Sequence, residues 1–80
     1  MTLRELISGL TDEYWTVVFK YNDKTCGIEP QADNGVITYD IWYGGDDLFK
    51  AKSIDEVLHL RAFNGKSLTE IYPRIKAEFV

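Results

Sequence analysis

Hydrophobic residues at the start of the chain recur with the period of a helix. Positions i, i+3, i+4 and i+7 form one apolar stripe: Leu3, Leu6, Ile7 and Leu10. Thr2 and Glu5 have the spacing of a capping box, in which the hydroxyl and the carboxylate each accept a hydrogen bond from a backbone N–H. The pattern predicts a first helix that begins near Thr2, and Gly9 weakens its last turn.

A second capping box predicts a second helix. Ser53 stands three residues before Glu56. The apolar positions that come next share one helical face: Ile54, Val57 and Leu58. We expect this helix to end by Arg61, because the pair Asn64–Gly65 breaks the chain shortly afterwards.

A third capping box, Ser67 with Glu70, predicts a third helix. Apolar residues keep a helical spacing almost to the end of the chain: Leu68, Ile71, Tyr72, Ile75 and Phe79. Pro73 lies past the first turn, where a proline removes one helical hydrogen bond and crowds the carbonyl four residues earlier. We therefore expect the third helix to kink or to break early at Pro73.

Between the first and second helices the period changes to two. The alternating apolar positions are Trp15, Val17, Phe19 and Tyr21. Asn22-Asp23 then predicts a two-residue hairpin turn, because both residue types tolerate positive φ. That turn pairs the apolar residues of two strands on one face: Tyr21 with Lys24, Phe19 with Cys26, and Val17 with Ile28. Gly27 falls opposite Val18 on the other face.

A second hairpin comes after a loop that we expect near Pro30–Asn34. Alternate residues of the strand Val36–Tyr43 face the expected core: Ile37, Tyr39, Ile41 and Tyr43. For the next strand, Leu48–Lys52, two registers are open. A three-residue loop, Gly44–Asp46, pairs Ile41 with Phe49 and Tyr39 with Ala51. A two-residue loop pairs Ile41 with Leu48 instead. We prefer the first, which buries an aromatic ring and a small partner together.

The element order α-β-β-β-β-α-α indicates a single α+β domain over residues 1–80. An antiparallel sheet of three to four strands, built from two hairpins, is covered on one face by the N-terminal helix and the two C-terminal helices. The other face is expected to remain uncovered. Its side chains are Thr16, Val18, Lys20, Thr25, Glu29, Val36, Thr38, Asp40 and Trp42.

Charge narrows the choice of partners. The chain carries a formal net charge of −4. The segment 29–47 holds five acids and neither Lys nor Arg. An acidic surface repels phosphates, so we expect no nucleic-acid partner. No apolar run is long enough to span a membrane, and the N-terminus lacks the features of a signal peptide. With Cys26 as the only cysteine, we expect a reducing cytoplasm.

Trp42 is the most informative single residue. The pleat puts Trp42 and Tyr43 on opposite sides of the sheet, so an inward Tyr43 leaves Trp42 on the open face. An aromatic residue with acids nearby is typical of a protein-binding patch. The candidate partner-binding residues are Val18, Glu29, Val36, Asp40 and Trp42. Two alternatives remain: Trp42 covers a gap at the sheet edge, or the register is shifted and Trp42 belongs to the core.

The stretch WYGGDDLF, residues 42–49, resembles the GGDEF signature of diguanylate cyclases over five or six residues. The resemblance would imply a nucleotide and metal site on a hairpin. Asp47 stands where that family has Glu, and the family's other metal-binding aspartate and βαβ framework have no counterpart here. Neighbouring aspartates in a turn point apart, whereas Mg²⁺ needs converging carboxylates. We interpret the stretch as a hairpin turn.

No other constellation predicts chemistry. His59 is the only histidine, at the end of a short helix, and no nucleophile pattern accompanies it. Cys26 falls on the core face without a second metal ligand. Glu29 and Asp40 share the open face like paired glycosidase carboxylates, but no cleft is suggested between them. We expect no catalytic residue, no cofactor and no metal, and therefore not an enzyme.

The stretches YDIWYG, KSIDEVL and FNGKSLTEI resemble short uncharacterised proteins of Gram-positive bacteria and their mobile elements. The resemblance implies a bacterial cytoplasmic setting and no assigned activity. We expect a non-enzymatic protein-interaction or regulatory module that uses the face around Trp42 or an exposed sheet edge. The alternatives are an acidic phage-type inhibitor that imitates nucleic acid, and a self-associating structural protein that forms a homodimer.

Overall fold

The computed structural model describes residues 1–45 and 47–80, and it has the expected α+β architecture. Five antiparallel strands form one open sheet in the order β4-β3-β2-β1-β5. The helices are α1 (Leu3–Thr11), α2 (Ile54–His59) and α3 (Leu68–Ile71), with a 3₁₀ turn at Tyr72–Arg74. The strands are β1 (Val17–Tyr21), β2 (Lys24–Asp33), β3 (Val36–Tyr43), β4 (Asp47–Ala51) and β5 (Glu78–Phe79).

Both predicted hairpin registers are confirmed. Asn22 and Asp23 have φ angles of 53° and 60°, the positive values that a two-residue turn requires. Val17 lies opposite Ile28, and Val18 lies opposite Gly27. In the second hairpin, β4 takes the preferred register, in which Ile41 faces Phe49 and Tyr39 faces Ala51. The alternative pairing of Ile41 with Leu48 is wrong.

The prediction of a loop near Pro30–Asn34 is wrong, because β2 continues to Asp33. The turn is instead Asn34-Gly35, whose φ angles are 53° and 78°. Proline is tolerated at this point of β2 because β1 begins at Val17, opposite Ile28. Pro30 therefore lies beyond the end of β1 and is paired only with Tyr39 of β3.

Two of the three capping boxes are complete. Thr2 with Glu5, and Ser67 with Glu70, exchange both hydrogen bonds at the starts of α1 and α3. At α2 only half of the box forms. Ser53 Oγ accepts from the Glu56 backbone N–H, while the Glu56 carboxylate accepts from the backbone N–H of Lys52.

The early break at Pro73 is confirmed, but the strand beyond the break was not predicted. The backbone is extended at Ile75, and Phe79 lies in a fifth strand that pairs with β1 at Val17. Phe79 therefore takes the place on the covered face of the sheet that was predicted for Trp15. Trp15 was expected in the core, yet it precedes β1, is about half exposed and packs edge-on against the Phe79 ring at 5.2 Å.

The core lies between the sheet and the helices, on one face only. Phe63, from the segment between α2 and α3, packs against Phe19 of β1 with ring centroids 5.3 Å apart. Cys26 is buried in this layer, as expected. The fully buried side chains from both layers are Leu6, Leu10, Val17, Cys26, Ile28, Ile41, Val57, Phe63, Leu68 and Ile71.

Candidate functional site

The face of the sheet opposite the helices, here the open face, carries one continuous row of residues across all five strands. Successive pairs in the register connect its members from one edge to the other. The cross-strand row is Leu48, Trp42, Gly27, Val18 and Glu78. It therefore brings together two of the residues predicted from the sequence, Trp42 and Val18, with Gly27 between them.

The indole of Trp42 lies over Gly27. A Cβ atom at position 27 would collide with the six-membered ring of Trp42 and would lie 2.7 Å from the carbonyl oxygen of Val17. The absence of a side chain at Gly27 therefore makes room for the indole. Trp42 is half-buried on the open face and sits over the central part of the sheet. It is neither a core residue nor a cover for an edge gap.

The part of the cross-strand row without charge, from Leu48 through Trp42 and Gly27 to Val18, is here called the apolar row. Its ends are more exposed than its centre. Leu48 is 70% exposed, although it stands directly opposite Trp42. Val18, on the other side of Gly27, is half-buried. Single exposed hydrophobic residues are common, but three partly exposed ones in line form a patch on the face opposite the helices.

The row next to the apolar one carries charge. Glu29 and Asp40 stand directly opposite each other, so their like charges are cross-strand neighbours. Lys50 Nζ contacts Asp40 Oδ1 at 2.7 Å, and Gln31 donates from Nε2 to Glu29 Oε1 at 2.8 Å. The segment 29–47 contains no basic residue, but the fold places Lys50 of β4 beside its acids. This lysine reduces the likeness of the face to a nucleic acid.

Val36 lies at the far end of the open face, beside the Asn34-Gly35 turn. It is 61% exposed and pairs with Asp33, six residues along β3 from Trp42. It lines a shallow cleft of about 690 Å³ together with Asp40 and Lys50. The five predicted residues thus divide into three places: Val18 and Trp42 in the apolar row, Glu29 and Asp40 in the next row, and Val36 at the end.

The groups with potential reactivity lie elsewhere and apart. Among the described residues, no three His, Cys, Asp or Glu side chains come together to hold a metal. His59 is exposed, and its Nδ1 lies 2.9 Å from the carbonyl oxygen of Asp55. Burial raises the pKa of the Cys26 thiol, which keeps it protonated and unreactive.

In the glycine-aspartate stretch, Gly44 and Gly45 lie in a turn that follows β3, and Asp47 begins β4. Gly44 has a φ of 69°, which a glycine adopts without strain, and Asp47 already pairs with Tyr43 as the first residue of β4. Asp46 lies outside the described residues, and with it the expectation that the two aspartates point apart. The described part of this stretch supplies turn geometry.

Three members of the row, Gly27, Leu48 and Glu78, were missing from the predicted site. Gly27 was placed opposite Val18 from the first hairpin alone. Its contact with Trp42 requires the pairing of β2 with β3, which the expected loop at Pro30–Asn34 obscured. Leu48 was recognisable in principle, because the preferred register of β4 places it opposite Trp42 on the same face.

No helix in the described ranges is long and apolar enough to cross a membrane. Comparison of the chain with models of known protein families, with curated proteins and with solved structures finds no match.

Proposed function

We propose that this chain is a small, non-enzymatic protein-interaction or regulatory module of the bacterial cytoplasm. Its partner protein binds the open face along the cross-strand row. One observation carries the proposal: the Trp42 ring lies over Gly27, between the exposed Leu48 and the half-buried Val18, on the face opposite the helices.

The arrangement suits recognition for a physical reason. Aromatic residues contribute large contact areas at low entropic cost when their rotamer is already fixed. Contact with Gly27 restricts the Trp42 ring before any partner arrives. The neighbouring acids and Lys50 supply a polar margin like the rim of a protein interface.

The experiment is capture of partners from a bacterial lysate on the immobilised chain. Trp42→Ala and Leu48→Lys are each expected to abolish capture of a specific partner. Tyr14→Lys is the matched control, because Tyr14 is also about half exposed but lies outside the strands. A partner retained by both row variants would contradict the proposal.

Sizing by light scattering tests self-association on the same protein. A stable dimer that dissociates with Leu48→Lys would show that a second copy covers the row, as in the structural alternative. A monomer that captures a different protein supports the proposal as stated.

A further inference from the structure

The strand β5 leaves a cleft at the other end of the open face. It pairs with β1 only at Val17 and Val18, whereas β1 continues to Tyr21. The segment 74–77 that leads into β5 is not paired with β1, and a cleft of about 540 Å³ lies between them. This volume falls in the range of about 300–1,000 Å³ typical of ligand sites. Its walls are Val18, Phe19, Lys20, Thr25, Arg74, Lys76, Glu78 and Val80.

The cleft combines an apolar floor with a basic rim. Val18 and Val80 supply the apolar side chains, while the ring of Phe19 packs against Phe63 on the covered face. Three exposed cations stand around it: Lys20, Arg74 and Lys76. Within residues 1–45 and 47–80, the ion pairs are Lys50 with Asp40 and His59 with Asp55, so none of these three cations has an acidic partner there. Their charge is available to a ligand.

Arg74 connects this cleft with a smaller one. On its other side it lines a cleft of about 280 Å³ together with Lys66 and Tyr21. In a chain whose net charge is −4, the two clefts at this corner are lined by four cations and two acids: Lys20, Lys66, Arg74, Lys76, Glu70 and Glu78. The acids Glu29 and Asp40 lie toward the opposite end of the strands.

The backbone of β1 offers hydrogen bonds at the same place. In a hairpin with a two-residue turn, alternate residues direct their N–H and C=O groups toward the partner strand, so the even-numbered residues of β1 direct theirs away from β2. The Thr16 carbonyl accepts from the Val80 N–H at 2.9 Å, and Val18 pairs with Glu78. Lys20 is the next position in this series, and no described strand pairs with it on that side.

We propose that this basic cleft binds an extended acidic segment of a partner protein. The segment adds its backbone beside Lys20 in the manner of a short extra strand. Its carboxylates lie against the side chains of Arg74 and Lys76, and an apolar side chain covers the floor. The inference rests on the proposed function, because Val18 belongs both to the cleft and to the cross-strand row.

The chemistry of the walls favours a peptide over a nucleic acid. The apolar floor offers nothing to a phosphate. A strand edge forms hydrogen bonds with peptide N–H and C=O groups together, and a sugar-phosphate backbone has no N–H donor to contribute. Alternating acidic and apolar side chains match a rim and a floor on opposite sides of an extended chain.

Fluorescence anisotropy with a labelled peptide of alternating Glu and Val tests the inference. The otherwise identical peptide with Gln in place of Glu is expected to bind far more weakly. Double substitution Arg74→Ala and Lys76→Ala should weaken binding of the Glu peptide about 2- to 30-fold, since each exposed ion pair contributes about 0.2–1 kcal/mol. Lys20→Ala is a second cleft variant, independent of the first, and should also weaken binding of the Glu peptide. Lys52→Ala, an exposed lysine beyond β4 on the opposite edge, is the control and should leave binding unchanged.

Three results would overturn the inference: equal binding of the Glu and Gln peptides, tighter binding of a single-stranded oligonucleotide of the same charge, or an unchanged affinity in both cleft variants. Partner capture separates this failure from that of the proposed function. Capture that depends on Leu48 but not on Arg74 and Lys76 overturns the cleft alone. A peptide that binds at the cleft, with no capture that depends on Trp42 or Leu48, supports the cleft and contradicts the proposed role of the row.

Discussion

The two faces of the sheet use the same five strands in different ways. On the covered face, the row next to the cross-strand row consists of Phe49, Ile41, Ile28, Val17 and Phe79. Its three central members are fully buried beneath the helices. On the open face, one residue away in each strand, the corresponding row is Leu48, Trp42, Gly27, Val18 and Glu78.

The difference shows how an 80-residue chain stabilises one face and leaves the other available. The covered row fills its centre with branched side chains that interlock with the helices. The row on the open face has Gly27 at its centre in place of a residue with a side chain. The large ring of Trp42 occupies the space above this glycine. No second layer packs on this row in the part of the chain that the structure describes, so its apolar area is not fully used in folding.

The largest effect is expected in the covered row. Ile28→Ala removes a fully buried branched side chain from the centre of the core and should lower the free energy of unfolding by about 2–5 kcal/mol. Urea denaturation measures the change. Val18→Ala, at a half-buried position of the open face next to Val17, the partner of Ile28, should cost clearly less. Equal losses for the two variants would remove the distinction between the faces.

The next effect tests the packing of Trp42 on Gly27. Gly27→Ala forces the indole off the strand and crowds the Val17 carbonyl oxygen, so we expect a loss of about 1–3 kcal/mol in the free energy of unfolding. In a chain that already carries Trp42→Ala, the ring is absent and the same substitution should cost less. The double-mutant cycle should give a coupling of about 0.5–3 kcal/mol. A coupling near zero would mean that the ring does not rest on Gly27.

A smaller effect concerns the helical layer that covers the core. Ser67 is buried, and its Oγ accepts the backbone N–H of Glu70 at the start of the four-residue helix α3. Ser67→Ala should lower the free energy of unfolding by about 0.5–2 kcal/mol. Ser53→Ala, at the half-formed box of α2, is the comparison and should cost less. Thermal unfolding by circular dichroism measures both.

The same cap makes stability depend on pH. The Glu70 carboxylate accepts the Ser67 backbone N–H, and this hydrogen bond lowers the pKa of Glu70, as the equivalent bond to Thr2 lowers the pKa of Glu5. A lowered pKa in the folded state gives stability that is present above the unfolded-state pKa and is lost as the pH falls through the folded value. The difference in melting temperature between the native chain and Glu70→Gln should therefore shrink from about pH 6 to about pH 3. A difference in melting temperature that stays constant over this pH range would contradict the stabilising role of the Glu70 carboxylate.

Sequence reasoning predicted the parts of this fold that depend on neighbours in the chain. Alternation and turn residues gave both hairpin registers, and capping pairs gave the helix starts. It failed where distant segments decide. Phe79 keeps helical spacing from Ile75, but Pro73 ends the helix and β1 has a free edge that captures the segment. Pro30 marked a loop by its type, although it lies at a place in β2 where no neighbouring strand needs its N–H.

The candidate site, like the fold, was predictable only in part. The open face and the outward direction of Trp42 follow from the pleat of β3. The contact with Gly27 depends on the pairing of β2 with β3, and the basic cleft depends on β5. The pairing of β1 with β5 joins residues far apart in the sequence, so local pattern does not predict it. The pairing of β2 with β3 is a local hairpin around the Asn34-Gly35 turn, which the prediction of a loop at Pro30–Asn34 obscured.

Leu48→Lys tests the central claim most directly, because Leu48 is the most exposed member of the apolar row. The free energy of unfolding should change by no more than about 0.5 kcal/mol, as for other exposed positions, while capture of the partner is lost. Val36→Lys, on the same face but at its far end, should leave both unchanged. A Leu48→Lys chain that unfolds like a core variant, or that captures its partner as the native chain does, would contradict the division between a structural face and a recognition face.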